Sequence, residues 1–170
     1  MDVADALGSN APLERKYEIM KDSRVGSFAV IAVIFLFALK SVFLYEILAM
    51  ADELLIILAL LFIPMLARFQ SLLQLKLFPP IQNKGLSYEW RKHLSWKDIV
   101  FALFGIVIMI VLYYPFIMLL VLQILFAVLY GKWAGKNFKG INGDLVGTSI
   151  EGAELWNVAI LYIFILFVMP

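Results

Sequence analysis

The sequence predicts an all-α integral membrane protein with about five transmembrane helices and polar cytoplasmic loops. Of its 170 residues, 64% are hydrophobic and the mean hydropathy is +0.94, whereas soluble domains lie nearer half apolar. Apolar runs of helical length recur along the whole chain, as a polytopic membrane protein requires. The basic residues then sort to one side of the layout those runs define.

Taken in order, residues 1–24 form a charged cytoplasmic segment. The first span is 25–48, with Lys40 inside it and Glu46 near its end. The second is 53–67, LLIILALLFIPMLA after Glu53, where Pro64 should kink the helix. Residues 68–97 read as a loop, with Pro79–Pro80, a turn at Asn83–Gly85 and the charged run YEWRKHLSWKD. The apolar block from Ile99 to Tyr130 is too long for one span. Pro115 disfavours helical geometry in the residue before it, so the block divides into spans 98–113 and 115–130. A loop over 131–151 and a last span over 152–169 complete one polytopic domain, 1–170.

Five crossings place 1–24, 68–97 and 131–151 on the same side. Those segments hold thirteen of the fourteen Lys and Arg residues, and the exception, Lys40, lies within a span. The opposite turns hold Glu46, Asp52 and Glu53 and no basic residue. The basic side is therefore cytoplasmic, and the plasma or inner membrane is the expected host. Trp90, Trp96, Trp133 and Trp156 fall near the expected interfaces. A net charge of +1 names no partner and gives no reason to expect nucleic acid. The absence of cysteine excludes disulfides and thiol chemistry, and the lone His93 excludes a multi-histidine metal site. Lys40 needs a partner, a wet gap or a reach to the interface.

This topology brings three polar segments to one face. In the last, Gly140, Gly143, Gly147 and Gly152 surround Asp144, Glu151 and Glu154. Glycines allow close backbone approach, and a carboxylate among bare amides suits a metal-bound phosphate. Glu151 and Glu154 share a helix face at i, i+3; a flexible loop with a capping glutamate pair reads equally well. Asp2 and Asp5, also at i, i+3, suit one cation or a first-turn cap. In EIMKDSR, Glu18 and Asp22 repel at i, i+4, Glu18 and Lys21 can pair, and Lys21 and Arg24 suit phosphate. A plain basic anchor for the first span is the alternative.

EIMKDSRVGSFAV before an apolar span, with KGINGDLVGTSIEGAEL near the end, resembles the cobalamin synthase (adenosylcobinamide-GDP ribazoletransferase) family. Lys21, Asp22, Ser23, Arg24 and Gly26 match its DSR block. Arg68 resembles its mid-chain arginine. Gly140, Gly143, Asp144, Gly147, Glu151 and Glu154 match its final loop, although Lys139 and Thr148 stand where the family usually has Gly and Ala. MDVADAL matches the second half of its acidic segment through Asp2 and Asp5, so the resemblance implies further residues and spans ahead of Met1.

The resemblance implies transfer of α-ribazole, or its 5′-phosphate, onto adenosylcobinamide-GDP with release of GMP, supported by Mg²⁺. It implies Asp2, Asp5 and Asp144 as metal ligands. Lys21, Arg24 and Arg68 would hold phosphates, with Gly140, Gly143 and Gly147 giving backbone access. Asp22, Glu151 or Glu154 would serve as base or supporting group. The bilayer is one partner; other cobalamin-assembly enzymes or a second copy are further ones. A CDP-alcohol-type phosphotransferase is the second enzyme reading, but its full signature is absent. A transporter or scaffold is the non-enzyme reading, and it predicts polar groups at mid-membrane, where Lys40 is the only charge.

Overall fold

The computed structural model describes residues 1–168; Met169, the expected end of the last span, lies outside the described residues. Among the described residues every regular element is helical: α1 (Asp2–Gly8), α2 (Leu13–Ile19), α3 (Ser27–Met50), α4 (Glu53–Leu77), α5 (Leu86–His93), α6 (Trp96–Leu112), α7 (Phe116–Phe138) and α8 (Gly143–Val168). Four of these, α3, α4, α7 and α8, are long and apolar enough to cross a membrane. The shorter α6 reaches that length only together with α5, from which it bends by 89°. The outer faces of α3 and α6 expose aromatic and branched aliphatic side chains such as Phe35, Phe37, Phe101 and Phe104, as a lipid-facing surface does.

α4 is the central helix, packed on α6, α7 and α8. Asp52 caps its start by accepting from the Leu55 amide at 2.8 Å. The helix does not stop at residue 67. It continues through Pro64 to Leu77, and Arg68 donates to the Pro64 carbonyl at 3.1 Å. Its polar last turns are helical because Gln70 and Gln74 are buried against α8. Gln70 Nε2 donates to Ser149 Oγ at 3.0 Å and Ser149 Oγ donates to Gln74 Oε1 at 2.7 Å. Gln74 Nε2 closes the ring on Gln70 Oε1 at 3.0 Å.

The break at Pro115 stands where the sequence places it, between α6 and α7. The loop expected over 131–151 shrinks to residues 139–142. α7 runs on to Phe138, and α8 starts at Gly143. Lys139 adopts a left-handed φ of 59°, which ends α7 and turns the chain. Ile141 then pairs with the 79–81 stretch: its amide donates to Pro79 O at 2.9 Å and its carbonyl accepts from Ile81 N at 3.1 Å. Gly140 makes that approach possible, since a Cβ there would lie 2.7 Å from Pro79 O. Gly140→Ala is expected to cost about 1–3 kcal/mol of stability through this overpacking, read as a lower melting temperature in nanodiscs.

Two apolar cores result. One joins α4 to α6, α7 and α8 around Phe62, Leu66, Phe116 and Leu161, with Phe62 and Phe116 stacked at 4.4 Å between centroids. A smaller one lies where α1 and α2 cover the adjoining ends of α4, α7 and α8, around Val3, Ala6, Phe138 and Leu145. The second core carries the site.

Candidate active site

α1 and α2 are too short to be stable alone, so packing and polar contacts must hold them. Tyr17 Oη donates to the Phe138 carbonyl at 2.5 Å, and burial raises the Tyr17 phenol above its ordinary range. Both oxygens of Asp5 accept from the start of α3, from Gly26 N at 2.8 Å and Ala29 N at 2.9 Å. A Cβ on Gly26 would fall 2.5 Å from Asp5 Oδ1, so the glycine of the DSR block is needed for this cap. In this arrangement Asp5 serves as the cross-chain N-cap of α3.

Between α2, the 81–87 segment, α5 and the start of α8 opens a cleft of about 790 Å³. Its walls include Lys21, Lys84, Trp90, Gly143, Asp144 and Gly147. Asn142 builds the α8 end of it. Its Oδ1 accepts from the Leu145 amide at 3.0 Å, which caps the helix, and its Nδ2 donates to Asp144 Oδ2 at 3.0 Å. Asp2 on α1 lies near enough for its charge to act on Asp144. Gly143 and Gly147, at i, i+4 on one face, have open space where a Cβ would point. Bare backbone and the positive end of a long helix therefore meet a fixed carboxylate.

The cleft unites Lys21, Gly143, Asp144 and Gly147; Asp2 lies outside its lining, within electrostatic reach of Asp144. Other expected site residues lie elsewhere. Asp22 and Arg24 face solvent and hold each other, Arg24 Nη2 donating to Asp22 Oδ2 at 2.8 Å. Hydrogen bonds from the Arg24 side chain and amide hold the Asp22 carboxyl down to about 2, and the same pairing raises the Arg24 guanidinium. A carboxyl so acidic is a weak proton acceptor near neutrality. Its contribution to the turn is present above the ordinary carboxylate range and is lost as pH falls towards 2. The Asp22 carboxyl carbon is expected to titrate near 2 by NMR in the native chain and in the ordinary range in Arg24→Ala. Glu18 pairs with Arg15 at 2.6 Å and not with Lys21.

Glu151 and Glu154 share a face as expected, but deep within α8 and not at its start. There they meet Lys40. Its Nζ donates to Glu151 Oε2 at 2.7 Å and to Glu154 Oε2 at 2.9 Å. Arg68 also pairs with Glu154. Lys40 thus finds two carboxylates from another helix, and Arg68 is engaged away from the cleft. Gly140 belongs to the backbone crossing with Pro79.

Sequence reasoning named no site role for Gln82, Lys84 or Ser87 and placed Trp90 only at an interface, yet all four line the cleft. The turn at Asn83–Gly85 was a usable signal, since Gly85 takes a φ of +90° there. Among the described residues no three acidic or histidine side chains gather into a full metal cage. Mg²⁺ does not need one: it is held by one or two carboxylates together with substrate phosphates and water. Asp144 on the cleft wall, with the Asp2 carboxylate within electrostatic reach, fits that donor set.

The sequence of the cobalamin-5-phosphate synthase family matches residues 1–163. Curated proteins named adenosylcobinamide-GDP ribazoletransferase are similar over most of the chain. The one from Geobacillus thermodenitrificans (strain NG80-2) is 33% identical over 168 residues, covering 93% of this chain and 63% of its own length. That of Clostridioides difficile (strain 630) is 32% identical over 181 residues, covering 99% and 68%. That of Brevibacillus brevis (strain 47 / JCM 6285 / NBRC 100599) is 34% identical over 165 residues, covering 91% and 62%. The chain therefore spans under two thirds of the length of several such relatives. No solved structure matches it. The match takes in α1, the DSR turn, the central α4 and the glycine-lined start of α8, and the chain belongs to the cobalamin-5-phosphate synthase family.

Proposed function

We propose that this chain carries the catalytic cleft of an adenosylcobinamide-GDP ribazoletransferase, acting at the cytoplasmic face of the plasma or inner membrane. The supporting observation is the cleft itself. It joins Lys21 of the DSR block to Gly143, Asp144 and Gly147 of the final motif, two segments that the family resemblance singles out. The relatives' printed name supplies the reaction.

In that reaction a ribose hydroxyl of α-ribazole, or of its 5′-phosphate, forms a bond to the corrinoid-linked phosphorus, and a 5′-phosphate is carried through unchanged, in keeping with the family's description as cobalamin-5-phosphate synthase. The bond from that phosphorus to the bridging oxygen breaks, and GMP leaves with that oxygen. With either acceptor, the hydroxyl proton passes to water. Positioning and charge neutralisation dominate such a transfer. Lys21 and Lys84 would hold the diphosphate from the α2 and loop sides. Gly143 and Gly147 let phosphate oxygens approach the α8 backbone, whose amino end favours anions. Asn142 keeps the Asp144 carboxylate turned in a fixed direction. Asp144 and Asp2 would hold Mg²⁺, which when bound neutralises charge on the leaving GMP.

Membranes carrying this chain, given adenosylcobinamide-GDP, α-ribazole and Mg²⁺, are expected to release GMP and form cobalamin. A parallel sample with the chain extended to the relatives' full length separates two failures. Activity only in the extended form places further required residues outside this segment. Silence in both, with folded protein present, overturns the proposal.

A further inference from the structure

Of the four tryptophans, three are occupied by the protein. Trp133 packs on Tyr130 and Phe138, Trp156 on Phe126, and Trp96 under the Lys76 ammonium. Trp90 differs. It is as exposed as Trp96, but it lines the cleft and among the described residues it has no ring or cation partner. The lysines divide in the same way. Lys40 and Lys92 are paired with acids and Lys76 is bonded to the Leu94 carbonyl; Lys21 and Lys84 are among the lysines with no acidic partner in the described residues, and these two line the cleft.

Trp90 is also held in place. Its neighbour Arg91 bonds the carbonyls at the end of α4, Leu75 O at 2.8 Å and Phe78 O, which fixes the roll of α5. That roll directs Leu86, Ser87 and Trp90, one face of the helix, into the cleft. A residue serving only as an interfacial anchor would need no such fixed azimuth beside a site carboxylate. A flat, open indole that shares the cleft with the Lys21 and Lys84 ammonium groups suits a planar heteroaromatic base joined to a phosphate, through stacking and charge.

We propose that Trp90 stacks the base of a bound nucleotide and Lys84 holds its phosphate, so that the 81–90 segment is the nucleotide-recognition wall of the cleft. This rests on the transferase reading, which offers two base-bearing ligands: the guanine nucleotide end of the donor, and the ribazole acceptor.

The test uses the full chain in nanodiscs with Trp90 as sole tryptophan, made by Trp96→Phe, Trp133→Phe and Trp156→Phe. GMP and α-ribazole 5′-phosphate are titrated separately, each with Mg²⁺. One of them is expected to quench Trp90 emission, which names the source of the base. In the otherwise native chain, Trp90→Ala is expected to weaken that ligand by about 5- to 150-fold, the range for loss of one base–aromatic stack. Trp90→Phe should keep most of the affinity. Lys84→Gln should weaken GMP more than guanosine, or ribazole phosphate more than ribazole. Unchanged affinity in Trp90→Ala, with an unchanged melting temperature, overturns the stacking role. Such a result beside normal turnover leaves the transferase reading intact. No quenching and no turnover in the intact and extended chains would sink both.

Discussion

Asp144→Asn is expected to lower GMP release by about 100-fold or more, the scale for removing one preorganised charge-stabilising group from a phosphoryl-transfer site. Asp144 sits on the first turn of α8, is steered by Asn142 Nδ2 at 3.0 Å, and faces the cleft with Asp2 nearby. Neutralising it removes half of a repelling pair, so the fold should be as stable as before or slightly more so. Activity falling while stability holds is the signature of a site group. The check is GMP release in membranes beside a thermal melt of the same variant. Asp2→Asn should behave alike but with a smaller loss, because Asp2 does not line the cleft. Full turnover by Asp144→Asn would remove it from the mechanism.

The second large effect is structural. Lys40→Met is expected to destabilise the chain by about 3–5 kcal/mol, the usual result of removing one member of a buried ion pair. The Lys40 and Glu154 side chains are only 15% and 19% exposed. Without the lysine, Glu154 keeps only Arg68, on the exposed side of the network. Glu154→Leu alone should be similarly harmful. The double variant should recover most of the loss, since a buried pair replaced by apolar groups is often neutral. Glu151 and Arg68 are more than half exposed, so their loss should cost less. Melts of the two single variants and the double in one lipid composition measure the coupling. Additive losses would mean that the network contributes packing alone.

The helical class and the break at Pro115 were legible in the sequence because hydropathy and proline geometry are local. The ends of α4 and α7 were not. Gln70 and Gln74 read as loop residues by composition, and their burial depends on partners far along the chain, Ser149 on α8 and the Ala127 carbonyl on α7. The glycines of the final motif suggested a loop, yet Gly143 and Gly147 are helical and serve by leaving one face bare. The site was readable as a set of motifs on one face, and the cleft does join Lys21 to Asp144. Which members met could not be read. Asp5 and Gly26 satisfy each other across the chain, and Glu154 is claimed by Lys40 and Arg68. Trp90 was placed as an interfacial aromatic because only the orientation of α5, fixed by Arg91 on the end of α4, distinguishes it from its fellows.

Lys40 also sets an order of events during synthesis. Its carboxylate partners lie 111 and 114 residues further along the chain, so α3 is made long before α8 exists. Until then it carries a bare ammonium into an apolar environment, at a cost of about 2.5–3.5 kcal/mol on insertion scales. The 24 residues of α3 are apolar enough to bear that charge and still enter the bilayer. The nascent helix is thus expected to stay beside the translocon, its ammonium reaching for the interface, until the final helix arrives. Ribosome-stalled chains ending before Glu151 should crosslink to the insertion machinery through α3, and chains extended past α8 should release it.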